Sequence, residues 1–221
     1  MKHVVAVFTG HGLADPLRRE FSAQLPDDLL SCIVDDSLIR DARSAGRVTP
    51  AVARRLVQYF GIAGEMGADV ILNTCSSVGE VVPGARALFD VPVVRIDEPM
   101  VRQAVASARR IGVLATIPTT LGPTVRFLRA IADAEQRTVE IAEDLAPGAY
   151  EALVAGRGDE HDRLLAEAAL RLRGRSDVIV LAQGSMARIA DRLQETVGLP
   201  VLASLKSGIA EVKRLLAGMP G

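Results

Sequence analysis

Tryptophan is absent from this 221-residue chain, aromatic residues make up 3% of it, and cysteine occurs twice, at Cys32 and Cys75. So few aromatics remove the stacking platforms on which single-strand and RNA-binding modules rely. Charge of one sign is lacking too: 26 Lys+Arg stand against 27 Asp+Glu, for a formal net charge of -1. Without a basic field to hold a phosphate backbone, nucleic acid is not an expected partner. Two cysteines exclude a disulfide framework, and His3, His11 and His161 lack metal-ligand spacing, so no metal is expected. No apolar run reaches membrane-spanning length. The start, Met1-Lys2-His3 followed by Val4–Phe8, lacks the apolar length and cleavage site of a secretory signal, which predicts a cytoplasmic protein with no membrane contact. No Gly-x-Gly-x-x-Gly follows a strand pattern, Gly10-His11-Gly12 lacks the third glycine, and no Walker-type Gly-Lys-Ser/Thr occurs. Neither a dinucleotide nor any other cofactor is therefore expected.

What is present is apolar material, 49% of the residues, and it is patterned. Apolar runs bounded by turn residues recur at Val4–Phe8, Val70–Leu72, Val93–Ile96, Ile111–Ala115, Val178–Leu181 and Val201–Ala203, and these predict buried parallel strands. Helical patterns lie between them. Thr49-Pro50 reads as an N-cap with Pro at the first helical position, opening a helix over Ala51–Met66 that Gly67 ends. A second amphipathic pattern covers Asp159–Arg173 and stops at Gly174, and a last one covers Ser207–Ala217. Strand and helix in alternation predict an α/β protein built from right-handed βαβ units.

The chain also nearly repeats itself. Asp69-Val70-Ile71-Leu72-Asn73-Thr74-Cys75 can be laid over Asp177-Val178-Ile179-Val180-Leu181-Ala182-Gln183, and the same offset carries Val91-Pro92-Val93 onto Leu199-Pro200-Val201. Ile111–Thr116 likewise lies over Val4–Thr9. The expectation is two pseudo-symmetric, Rossmann-like parallel-sheet halves: residues 1–98, with 207–221 packing back on them, and residues 99–206. Ligands of open α/β sheets sit at the carboxyl ends of strands, so the active site is expected in a cleft between the halves. The ends in question are Thr9, Cys75, Thr116 and Gln183, each followed by small or hydroxyl residues suited to holding an anion.

Cys75 is the foremost candidate. In Asn73-Thr74-Cys75-Ser76-Ser77 a strand ends and a helix is expected to begin near Ser76-Ser77, placing the sulfur at a helix N-terminus, a setting that suits a thiol to acid/base or nucleophilic work. Cys32, in the apolar run Ser31-Cys32-Ile33-Val34, reads as core filling. Thr9, Asn73, Thr74, Ser76, Ser77, Thr116, Thr119, Thr120, Gly184 and Ser185 are candidate donors to a carboxylate or a developing enolate. Lys206, near the start of the last helix, is a candidate anion contact, and His11 a candidate second acid/base.

Three segments resemble the aspartate/glutamate/hydantoin racemase superfamily: Asn73-Thr74-Cys75-Ser76-Ser77, Leu114-Ala115-Thr116-Ile117-Pro118-Thr119-Thr120 and Leu181-Ala182-Gln183-Gly184-Ser185-Met186-Ala187. The resemblance implies pyridoxal-independent chemistry on two pseudo-symmetric α/β domains, with two cysteines on opposite faces of the substrate in the racemases. Here the second cysteine's position holds Gln183, which has no accessible titration but can orient an oxygen through its amide. One-thiol relatives resembling arylmalonate decarboxylase, and maleate isomerases with a nucleophilic cysteine, belong to the same superfamily. The resemblance therefore implies a cofactor-independent isomerase acting next to a carboxylate of a small carboxylic or amino acid, with a decarboxylase or a non-catalytic carboxylate-binding protein as alternatives. A homo-oligomer is compatible with it.

Overall fold

The computed structural model describes residues 1–219, apart from the side chain of His11. The chain divides into two compact units, Met1–Glu98 with Leu205–Gly221, and Pro99–Ser204. The first unit holds β1 (His3–Phe8), β2 (Leu29–Val34), β3 (Val70–Asn73) and β4 (Val93–Arg95). The second holds β5 (Arg110–Ala115), β6 (Glu140–Leu145), β7 (Val178–Leu181) and β8 (Val201–Leu202).

Each unit is one parallel four-stranded sheet, and the two strand orders correspond: β2-β1-β3-β4 and β6-β5-β7-β8. Corresponding strands carry the internal repeat. One polar residue shared by the two copies is the aspartate before β3 and β7. Asp69 N–H donates to the His3 carbonyl and Asp69 Oδ2 accepts from His3 N–H; Asp177 does the same with Arg110. Pro92 and Pro200 carbonyls accept from Ile71 and Ile179, both at 2.9 Å. Similar apolar runs thus enter corresponding ladders because both faces of each sheet are covered.

In the second unit that coverage can be followed residue by residue. Ile111, Val113, Ala115, Val178, Val180 and Ala182 belong to one apolar cluster and Leu114, Ile179 and Leu181 to another. The two clusters alternate along the strands as the pleat requires, so the apolar side chains of β5 and β7 are all buried, and only Arg110, at the start of β5, is exposed. The first unit's central strands are equally dry: Val4–Val7 and Val70–Leu72 are wholly buried. Each such Val, Leu or Ile contributes about 1.5–3 kcal/mol of transfer free energy.

Two strands lie outside the runs predicted as strands. β2 and β6 are edge strands, and β6 (EIAEDL) carries Glu140, Glu143 and Asp144 among half-covered positions. An edge strand needs apolar groups only where the sheet face is covered, so β6 gives no continuous run, while β2 (LLSCIV) keeps one although none of its residues is fully buried. Cys32 is accordingly half-exposed on β2 rather than sealed in a core. Partial burial still pushes its thiol up, while the positive charge of Arg18 pulls the other way.

The first long helix runs Pro50–Glu65, and Thr49 caps it by accepting from Val52 N–H at 3.2 Å. Gly67 follows in the left-handed region, with φ +77°, where a side chain would be strained. The second runs Gly158–Arg173 and stops at Gly174, whose backbone is right-handed (φ -78°). The last helix, Ser204–Ala217, presses close: a Cβ on Gly208 would meet the Ile96 carbonyl oxygen at 2.7 Å. Only glycine permits that approach.

The element after Cys75 also differs from the expectation. It is a six-residue 3-10 helix, Ser76–Val81, followed by a single α turn, Val82–Ala85, with Pro83 inside it. Proline supplies no N–H and the segment carries Gly79 and Gly84, which together interrupt a regular α-helix. Cys75 therefore faces a short tight turn and not a multi-turn α-helix with an aligned macrodipole. No helix among the described residues is long and apolar enough to cross a membrane.

Candidate active site

In the first unit β1 and β3 are adjacent and parallel, with Val7 opposite Asn73, so the residues that follow leave the same end of the sheet. Thr9 is buried there, 7% exposed. Asn73 is wholly buried and its amide nitrogen donates to the Cys75 carbonyl at 3.1 Å. Thr74 turns inward as well: its N–H and its hydroxyl both donate to the Val7 carbonyl, at 3.2 and 3.0 Å. Asn73 and Thr74, expected among the substrate-binding residues, make these bonds at the end of the sheet, and Asn73 Oδ1 is buried with no hydrogen-bond partner among the described residues. They hold the peptide that carries Cys75.

Cys75 itself is half-buried and extended (φ -119°, ψ 116°), standing at the N-cap of the Ser76–Val81 turn. Ser76 and Ser77, the next two residues, are buried at 6% and 4% exposure. Lys206 lies in the first turn of the Ser204–Ala217 helix, exposed, and its carbonyl accepts from Gln24. The side chain of His11 falls outside the described residues.

Beneath the turn lies a pair of charges, one inside the run Val93–Ile96 and one just after it. Arg95 is the largest fully buried side chain among the described residues, and its Nε and Nη2 donate to the two carboxylate oxygens of Asp97 at 2.7 and 2.8 Å. Asp97 is wholly buried too. The signal available in the sequence is an Arg and an Asp two residues apart at the end of an apolar strand, Val93-Val94-Arg95-Ile96-Asp97.

In the second unit Thr116 and Gln183 occupy the corresponding ends of β5 and β7, and they bond to each other. Thr116 N–H donates to Gln183 Oε1 at 2.7 Å, and Gln183 Nε2 donates to the Thr116 hydroxyl at 2.8 Å. β7 has ended by this point, so the glutamine side chain takes the place of a strand partner for Thr116 N–H. Thr119 and Thr120 sit in the first turn of the Pro118–Ala134 helix. The Thr119 hydroxyl oxygen is buried with no hydrogen-bond partner among the described residues. Gly184 and Ser185 are half-buried in a second six-residue 3-10 helix, Gly184–Ile189, the counterpart of the turn after Cys75. Its Arg188 forks onto Asp162, with Nη1 to Oδ2 at 3.0 Å, while His161 Nδ1 lies 2.9 Å from Asp162 Oδ1. Burial pushes the Asp162 carboxyl up, but the His161 and Arg188 hydrogen bonds outweigh it and hold the group below the usual range.

Chemically, the first unit offers a thiol flanked by hydroxyls and backbone N–H groups at a strand end. The second offers hydroxyl and amide donors at the equivalent end with no titrating group at Gln183. Among the described residues no cluster of three or more His, Cys, Asp or Glu side chains is arranged to hold a metal ion.

Comparison with known proteins follows the same lines. Allantoin racemase from Klebsiella pneumoniae superposes with a TM-score of 0.72 at 18% identity, covering 98% of this chain and 88% of its own. Aspartate racemase from Picrophilus torridus gives 0.76 at 12% identity, over 97% and 94% of the two chains. Glutamate racemase from Francisella tularensis, solved with D-glutamate, gives 0.75 at 11% identity, over 98% and 81%. These likenesses share the two-sheet fold. No curated protein matches by sequence. The family model for Asp/Glu/Hydantoin racemase matches residues 5–212, and the chain therefore belongs to the Asp/Glu/hydantoin racemase family.

Proposed function

We propose that this protein is a cofactor-independent, racemase-type isomerase that acts at the carbon next to a carboxylate of a small carboxylic or amino acid, with Cys75 as its single thiol. Family membership supports the enzyme class. The observation that carries the one-thiol form is the pair of equivalent turns: Cys75 opens one, and Gln183, closed on Thr116, opens the other. Cys75 Sγ, deprotonated, takes the proton from the carbon next to the carboxylate, and the electron pair left behind spreads into the carboxyl group as an enolate. Thr9, Ser76 and Ser77 supply hydroxyl and backbone donors to that developing charge, the largest contribution such chemistry needs. Return of a proton to the opposite face, from His11 or water, completes the inversion, and Cys75 then loses its proton to solvent. In the second unit Thr116, Thr119, Thr120, Gly184 and Ser185 are the candidate carboxylate donors, and in the first unit Lys206 is a further anion contact.

A second reading, loss of carbon dioxide from a malonate-like acid with Cys75 delivering one proton to the resulting enolate, is favoured by the same absence of a titrating group at Gln183. Incubation of aspartate, glutamate, allantoin and substituted malonates in D₂O separates them. Deuterium uptake without carbon dioxide supports isomerisation; carbon dioxide release supports the lyase. A folded Cys75→Ala variant with undiminished turnover would sink both. Binding of these acids with no turnover in the parent protein would leave a carboxylate-binding protein.

A further inference from the structure

We infer that Arg95, clamped by Asp97, is a positioning residue that sets the turn presenting the Cys75 thiol. This rests on Cys75 being the working thiol, as proposed above. Arg95 is the last residue of β4 and lies opposite Asn73 in the sheet register, and Asn73 is the residue whose amide holds the Cys75 carbonyl. The next residue, Ile96, donates its N–H to the Asn73 carbonyl at 3.0 Å. The strand end carrying Arg95 is thereby tied to the strand end carrying Cys75.

The decisive contact is with Gly79, the fourth residue of the Ser76–Val81 turn. A Cβ built there would stand 2.7 Å from Arg95 Nε, 2.8 Å from Cζ and 3.0 Å from Nη2. The guanidinium plane therefore lies directly against the backbone of Gly79. Gly79 does not have a left-handed backbone, so its lack of a side chain serves this approach and not a special φ. Asp97 fixes the plane with two parallel bonds, which a lysine's point charge could not do. A core whose only task is to fill space is served at least as well by apolar side chains, since buried ion pairs add little net stability. The planar, two-point geometry is what such a pair adds, and here it is spent on the turn that starts at Cys75.

The test is the rate of iodoacetamide alkylation of Cys75 against pH, mapped by peptide mass, in Gly79→Ala, Arg95→Lys and the double variant R95M/D97L. The double variant strands no buried charge, so it and Gly79→Ala decide the matter if Arg95→Lys fails to fold. Cys32, on β2 of the same unit, is the internal reference. The expected result is a change of threefold or more in the Cys75 rate at neutral pH, or a displaced pH midpoint, with Cys32 unchanged and Arg95→Lys intermediate. A Cys75 profile like the parent's in the folded variants overturns the inference. So does a parallel rise at both cysteines, which would mark general loosening. Failure of the one-thiol reading is seen separately, as a Cys75→Ala variant that keeps its turnover.

Discussion

Gln183 closes on Thr116 through two hydrogen bonds, its carbonyl accepting from the Thr116 N–H at 2.7 Å and its amide donating to the Thr116 hydroxyl at 2.8 Å. The glutamine at the position equivalent to Cys75 thus has a structural occupation: it satisfies a backbone donor just beyond the end of β5. A cysteine thiol, a weak acceptor, could not replace it.

Removing that glutamine should therefore be felt in stability. Gln183→Ala leaves Thr116 N–H without its partner, and the expected loss is about 1–2 kcal/mol by urea unfolding. In a double-mutant cycle with Thr116→Val, coupling is expected to be about 0.5 kcal/mol or more. Valine keeps the backbone N–H, so the cycle reads the hydroxyl–amide bond alone, and strict additivity would mean that this bond contributes nothing.

Gly112 on β5 faces Ser176, whose hydroxyl oxygen would lie 2.5 Å from a Cβ on the glycine. Gly112→Ala is expected to cost about 1–3 kcal/mol through overpacking. Ser176→Gly in the same chain should recover most of it. The Ser176 hydroxyl is also buried with no partner among the described residues. Ser176→Ala alone should then be neutral or stabilising, and a clear fall in Tm would contradict that.

Asp162 has its carboxyl held below the ordinary value by His161 and Arg188, against the upward push of burial. The folded state thus binds a proton there less readily than the unfolded chain, whose Asp titrates near about 3.9. The resulting stability is present in full well above that value and is lost as pH falls through the depressed one. Asp162→Asn should lower Tm at pH 7, and the gap from the parent should close below about pH 4. A gap that is constant down to acid would refute the linkage.

Cys32 should alkylate more slowly at neutral pH than a free cysteine, because burial pushes its thiol up. Arg18→Ala removes the opposing charge and should slow it further. A faster rate in that variant would show that access, not ionisation, governs the thiol.

The sequence alone determined the α/β class, because Val4–Phe8, Ile111–Ala115 and Val178–Leu181 are continuous apolar runs and only strands covered on both faces need them. It also showed the repeat that sets Cys75 against Gln183, since equivalent backbone environments select similar residues whatever lies between. The run in β2 read as core filling although its edge position leaves it half-covered, and the edge strand β6 was not legible, because a half-covered strand carries polar residues and loses the run. Nor was the short turn after Cys75, where Pro83 and two glycines override the helical expectation. Tertiary structure alone decided the tasks of the polar residues. Asn73 and Thr74, candidate donors to a ligand, bond the Cys75 and Val7 carbonyls; Arg95 interrupts an apolar run, and pairing with Asp97 and the bare face of Gly79 let it be buried. A side chain's type limits which bonds it can make, and only the packing around it chooses the partner.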